Sequence, residues 1–145
     1  MIRKATEPDL EAIQAIELKT FPDPWPHFLF EELLRHESQY LYVMQDDLSS
    51  GIMGYIAFWK ILDEVHVLNI CVHPQYLRQG LGAKLLQFCL DLYPKEEVLV
   101  FSLEVRKSNK AAQKLYEKFG FEIKFTRAQY YPNKEDALIM VKLRP

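Results

Sequence analysis

The stretch Asn69-Ile-Cys-Val-His-Pro-Gln-Tyr-Leu-Arg-Gln-Gly-Leu-Gly-Ala-Lys-Leu-Leu-Gln-Phe-Cys-Leu90 decides how the rest of the chain is read. Continued back to Val65, its first part is apolar and β-branched, whereas Leu81, Leu85, Cys89 and Leu92 recur at helical spacing. A strand therefore enters a helix across a turn that carries Gly80 and Gly82. Glycine lets bare backbone approach a ligand, and a helix start points unsatisfied N–H groups and its positive dipole end at the same spot. Such a junction suits a phosphate or diphosphate, although Gly-x-Gly also occurs in plain tight connections.

Two nucleotide signatures fail on this segment. The dinucleotide fingerprint needs a third glycine where Leu85 stands, and the P-loop needs Gly-Lys-Ser/Thr where Gly82-Ala83-Lys84 stands. What remains resembles motif A of the GNAT acetyltransferase superfamily, Gln/Arg-x-x-Gly-x-Gly/Ala, whose loop holds the diphosphate of an acyl-CoA. Leu77 departs from that pattern, since it stands where the family has Gln or Arg. Because such a loop grips diphosphate largely through backbone N–H groups, the departure is expected to weaken binding without abolishing it.

At 145 residues the chain has the size of one domain, and 49% hydrophobic residues with 13% aromatics are ample for a single core over residues 1–145. A formal net charge of −2 leaves no electrostatic footprint for nucleic acid. The N-terminus lacks an apolar signal core, and no apolar run approaches the ~20 residues of a membrane span. A cytoplasmic protein is expected, binding neither membrane nor nucleic acid. Cys71 and Cys89, the only cysteines, fall on a strand and on an apolar helix face, which makes them buried thiols before a disulfide or a nucleophile. No cluster has metal-ligand spacing, so no metal is expected.

Outward from the central stretch, Ile2 to Lys4 reads as a short strand. Thr6 should cap a helix that has Pro8 in its first turn, carries Leu10, Ile13 and Ile16, and runs to about Lys19. Phe21-Pro-Asp-Pro-Trp-Pro26 is a stiff loop, because three prolines remove donors and restrict their predecessors. A second helix follows from His27 to about His36. Gln39 to Gln45, Ile52 to Ile61 and Glu64 to Val72 read as strands joined by short turns, and so as antiparallel neighbours. Beyond the glycine loop and its helix come a strand from Val98 to Glu104 and a helix from Asn109 to Lys118. That helix should turn Ala112, Leu115 and Phe119 inward and be capped by Gly120. Phe121 to Thr126 and Ala137 to Leu143 close the chain as strands. A meander feeding a βαβ unit gives an α/β fold with a mixed, mostly antiparallel sheet of about seven strands and helices on both faces.

Four further motifs are similar to the ribosomal-protein-alanine N-acetyltransferase (RimI) branch of that superfamily. They are Phe21-Pro-x-Pro-Trp25, Asp63-Glu-x-x-x-x-Asn-Ile-x-Val72, Leu103-Glu-Val-Arg-x-Ser-Asn-x-Ala-Ala112 with Leu115-Tyr-x-x-x-Gly-Phe121, and Tyr130-Tyr131 followed by Glu135-Asp-Ala-x-x-Met140. The resemblance implies a GNAT fold with a splayed central pair of parallel strands. It also implies an acetyl-CoA co-substrate held by Ile70, Cys71, Val72, Leu77, Arg78, Gln79, Gly80, Leu81, Gly82 and Asn109. Glu104 is its general base, acting through a water, and Tyr116 its general acid. Trp25, Tyr130 and Tyr131 would lie against the substrate peptide. Read by itself, Glu104 could equally be a strand-end carboxylate paired with Arg106 or a lysine, Tyr116 a core aromatic, and Asn109 a helix cap.

Attack of an amine on a thioester needs a neutral amine, a polarised carbonyl and a proton for the departing thiolate. A terminal α-amine titrates near ~7.7–8.0 against about 10.4 for lysine, so a modest base serves a chain terminus. The resemblance therefore implies acetyl transfer to the N-terminal α-amino group of a protein, the alanine terminus of a small-subunit ribosomal protein first. The expected oligomeric state is a monomer or weak dimer. Transfer to a lysine or small amine is the alternative within the enzyme class. A non-catalytic acyl-CoA-binding domain is the alternative outside it, and the joint presence of Glu104 and Tyr116 argues against that.

Overall fold

Strand β4, Glu64–Val72, buries Val65, Val67 and Cys71 at alternate positions, so one face of the strand packs inward while His66, Ile70 and Val72 stand on the other. The computed structural model describes Met1 to Arg144. The remaining elements are β1 (Ile2–Lys4), α1 (Leu10–Thr20), α2 (His27–Arg35), β2 (Gln39–Gln45), β3 (Ile52–Ile61), α3 (Leu81–Asp91), β5 (Val100–Arg106), α4 (Lys110–Lys118), β6 (Glu122–Arg127) and β7 (Ala137–Leu143). The seven strands form one sheet in the order β1-β2-β3-β4-β5-β7-β6, mostly antiparallel, in which β4 and β5 are the parallel pair.

Contacts divide the chain into two units, Met1–Trp59 with Asn69–Leu92, and Lys60–Leu68 with Tyr93 onward. In the first, β2 pairs antiparallel with β1 and β3, and Ile13, Ile16, Phe30, Val43, Tyr55, Ile56, Phe58, Leu85 and Leu86 are all but fully buried. Burying each large side chain contributes roughly 1.5–3 kcal/mol, so this set is the unit's main source of stability. In the second, β5 pairs parallel with β4 from Glu64↔Val100 to Val67↔Leu103 and antiparallel with β7 along its full length, with β6 beyond β7. Val65, Phe101, Leu103, Phe121 and Met140 form its core.

Two boundaries and one buried face differ from the sequence reading. Thr6 does not open α1: Glu7–Asp9 form a 3-10 turn and the α-helix starts at Leu10. The Asp9 carboxylate accepts the Thr6 N–H at 2.7 Å and both guanidinium arms of Arg3 at 2.8 and 2.9 Å, so the short turn is anchored before the helix begins. Strand β5 begins at Val100, since Val98 N–H bonds Pro94 and Leu99 N–H bonds Asp63; Val98 is buried in a loop and only resembles a strand residue. Helix α4 buries Gln113 and Tyr116, leaving Ala112, Leu115 and Phe119 half-covered. Gln113 is inward because its amide donates to the carbonyls of Arg106 and Lys107 at 3.1 and 2.9 Å, a use of polar burial that hydrophobic spacing does not register.

Candidate active site

In the first unit the predicted anion loop has the required backbone. Gly80 is the residue before α3 and is left-handed, with φ of 74°, and Arg78 is left-handed too, at 64°. A left-handed residue next to the right-handed start of a helix turns neighbouring N–H groups to one side, the concavity that receives anions. The first N–H groups of any helix lack intrahelical partners, so this concavity and the dipole of α3 act on one point. A Cβ placed on Gly80 would meet nothing within 4 Å. The glycine is thus demanded by its φ, and the space before it is open to a ligand. Leu77, Arg78, Gln79 and Gly80 are all exposed, Leu81 is buried beneath them, and Leu77 is a bare apolar side chain at 57% exposure.

Ile70, Cys71 and Val72 form the end of β4, beyond the paired residues Val67 and Leu103. Here β3 supplies Gly54, at which a Cβ would come within 2.7 Å of the Cys71 carbonyl oxygen, so the two backbones pass closer than any side chain allows. Burial pushes the Cys71 thiol up to about 11, which keeps it protonated near neutrality and unfit as a nucleophile. Both cysteines are buried thiols, as expected. Trp25 is half-buried, its ring 5.4 Å from Phe30.

The second unit gathers polar groups about Glu104 on β5. Its carboxylate lies 3.8 Å from His66 Nε2 and 3.7 Å from an Arg127 guanidinium nitrogen. Glu104, and then partial burial, raise the Tyr130 pKa, so the phenol keeps its proton. His66 in turn places Nδ1 2.7 Å from the Ser102 hydroxyl, which donates to Glu64 at 3.2 Å. Burial lowers the His66 pKa against the pull of Glu104 and Glu64, which favours the neutral ring. Tyr131 packs edge-on to Tyr130 at 5.2 Å and lies under the Arg106 guanidinium at 3.9 Å. Tyr116 is buried on α4 beside Phe121; burial, and then Tyr131, push its phenol well above the ordinary value.

Residues 10–121 match the model of the acetyltransferase (GNAT) family. The chain belongs to the GNAT acetyltransferase family. It is 38% identical over 136 residues to a [ribosomal protein bS18]-alanine N-acetyltransferase of Escherichia coli, covering 91% of this chain and 89% of that one. An N-alpha-acetyltransferase of Sulfolobus acidocaldarius is 34% identical over 156 residues, covering 96% and 89%. Among solved structures, the ribosomal-protein-S18-alanine N-acetyltransferase of Escherichia coli superposes with a TM-score of 0.90 at 34% identity, covering 99% of this chain and 92% of that one.

For a GNAT enzyme the residues fall into two groups. Trp25, Ile70, Cys71, Val72 and Leu77 to Gly82 lie in the first unit; Glu104, Asn109, Tyr116, Tyr130 and Tyr131 lie in the second. Within the second, Glu104 raises the Tyr130 pKa and Tyr131 that of Tyr116. Asn109 is the cap of α4, its side-chain oxygen accepting from Ala112 N–H at 3.2 Å. Arg106 binds Glu135 and Asn133, each at 3.2 Å, while Glu135 also accepts the Ser108 N–H at 2.7 Å. His66, Ser102 and Arg127 escaped the sequence reading. Only strand register could have found the first two, since parallel pairing sets His66 opposite Ser102. No helix among the described residues is long and apolar enough to cross a membrane.

Proposed function

We propose that this GNAT enzyme acetylates the N-terminal α-amino group of a protein, with the alanine terminus of a small-subunit ribosomal protein as its substrate. Acetyl-CoA is the donor, and the chain works as one catalytic domain in the cytoplasm, as a monomer or weak dimer. The observation that carries the reading is Glu104, a carboxylate at 20% side-chain exposure with His66, Arg127 and Tyr130 around it. The His66 ring and the Arg127 guanidinium both lie near Oε1, and the carboxylate stays partly open to an incoming ammonium. The relatives named above for alanine or α-amine acetylation support the choice of acceptor.

In the proposed reaction, backbone N–H groups of Arg78 to Gly82 take the diphosphate and those of Ile70 to Val72 the pantetheine and acetyl oxygens. Glu104 removes a proton from the terminal ammonium through a water. The amine attacks the thioester carbon, the C–S bond breaks, Tyr116 donates its phenolic proton to the departing sulfur, and the second proton that the nitrogen sheds as the amide forms returns through solvent to the tyrosinate. The raised Tyr116 pKa keeps the donor protonated at every working pH. Trp25, Tyr130 and Tyr131 are the residues assigned to the peptide.

Glu104→Gln tests the base. It keeps shape and hydrogen-bonding reach while removing basicity, so kcat/KM on an alanine-initiated peptide should fall most below pH ~7.7 and recover toward pH 9, where the free amine exists unaided. A defect of constant size from pH 6 to 9, confined to peptide KM, would make Glu104 a counter-charge instead.

A further inference from the structure

The buried carboxylate of Glu17, on α1, takes no part in the chemistry above. It is 1% exposed and carries three donors: the Tyr55 hydroxyl and Asn69 Nδ2, the latter at 2.9 Å, on Oε1, and the Trp25 N–H at 2.9 Å on Oε2. Three residues earlier, on the same helical face, Gln14 donates its amide to the Trp25 carbonyl at 2.9 Å. Both polar ends of Trp25 are therefore gripped from one helix. The Gln14 carbonyl oxygen is buried with no partner among the described residues, a cost accepted to keep the grip. A second route closes the circuit through rings: Trp25 on Phe30, Phe30 edge-on to Tyr55 at 5.7 Å, and Tyr55 back to Glu17.

A loop holding Pro22, Pro24 and Pro26 has few backbone donors to fix it, so its position rests on side chains. A buried carboxylate is costly unless fully hydrogen-bonded, and an apolar residue would fill the same volume without that cost. Its three donors account for its stability, and the one outside regular structure is Trp25. We propose that Glu17 is a positioning residue for the acceptor peptide, holding the Trp25 loop in the shape that the peptide meets. This rests on the reading of Trp25 as a peptide contact. Tyr55 and Asn69 orient the carboxylate, and its second oxygen sets the loop.

Glu17→Gln separates these jobs. Its single amide oxygen still accepts from Tyr55 and Asn69, but an NH2 group then faces the Trp25 N–H, donor against donor. Peptide KM should rise about tenfold or more, as for loss of a charged hydrogen bond, with acetyl-CoA KM within about threefold of the parent. In 15N-labelled protein, exchange of the Trp25 amide should quicken by at least about tenfold, a readout that needs no substrate. Unchanged Trp25 exchange, or faster exchange with unchanged peptide KM, overturns the proposal. So does an equal loss across both KM values and kcat with a lowered melting temperature, which would make Glu17 merely structural. If Glu17→Gln does not fold, Tyr55→Phe replaces it, with the same criteria and a smaller effect in the same direction. Should the parent acetylate no peptide α-amine, the substrate reading fails, while the exchange measurement still judges the hold of Glu17 on the loop.

Discussion

Gly80→Ala distinguishes a glycine kept for a ligand from one kept for a turn. At φ of 74° an L-residue is strained by about 1–2 kcal/mol, and because a Cβ there meets nothing within 4 Å, no steric cost adds to that figure. At roughly 3 °C per kcal/mol for a chain of this length, the melting temperature should fall by only about 3–6 °C. In the proposed assignment, by contrast, the diphosphate comes up against the face from which that Cβ projects. Acetyl-CoA KM should therefore rise by about tenfold or more, the equivalent of one charge-assisted hydrogen bond, with peptide KM little changed. Calorimetric titration of CoA into the folded variant, beside a thermal melt, separates the two effects. Near-parental CoA affinity with the predicted drop in melting temperature would refute the loop assignment and leave Gly80 a turn residue.

Tyr116→Phe should bind acetyl-CoA almost as the parent does but lose about 10²–10⁴-fold in kcat, the usual range for a general acid; a loss under about threefold would mean that solvent protonates the thiolate. Asp9→Asn addresses stability instead. Hydrogen bonds from Arg3, then Thr6, hold the folded Asp9 carboxyl down at about 2, on a side chain only 10% exposed. A pKa depressed in the folded state stabilises above the unfolded value near ~3.9 and is lost as pH falls through that value toward 2, so the parent should exceed the variant by about 2 kcal/mol at pH 7. Urea melts from pH 7 to pH 2 should show the gap closing; a gap that persists at pH 2 would assign it to packing.

The elements that bury apolar faces were legible because their spacing is a direct image of their geometry. Leu81, Leu85 and Cys89 are buried along α3, and every strand was found within two residues of its ends. Val98 misled because burial in a loop and burial in a strand demand the same residue. Gln113 misled because its place is set by the Arg106 and Lys107 carbonyls, partners that no local pattern announces. At the site, Gly80 was readable because backbone conformation restricts residue type at a single position. The surroundings of Glu104 were not, since His66 is 38 positions away in sequence and reaches it only through sheet register. Glu17 was invisible for a like reason: on α1 it reads as one more exposed acid until Tyr55, Asn69 and Trp25 are seen around it.

The central claim is the identity of the acceptor nitrogen. It is tested most directly by incubating the protein with acetyl-CoA and one peptide that has both a free N-terminal alanine and an internal lysine, and locating the acetyl group by tandem mass spectrometry. Acetylation confined to the alanine α-amine, and lost when that terminus is blocked, is the predicted result. Acetyl on the lysine side chain with the terminus left free would contradict it.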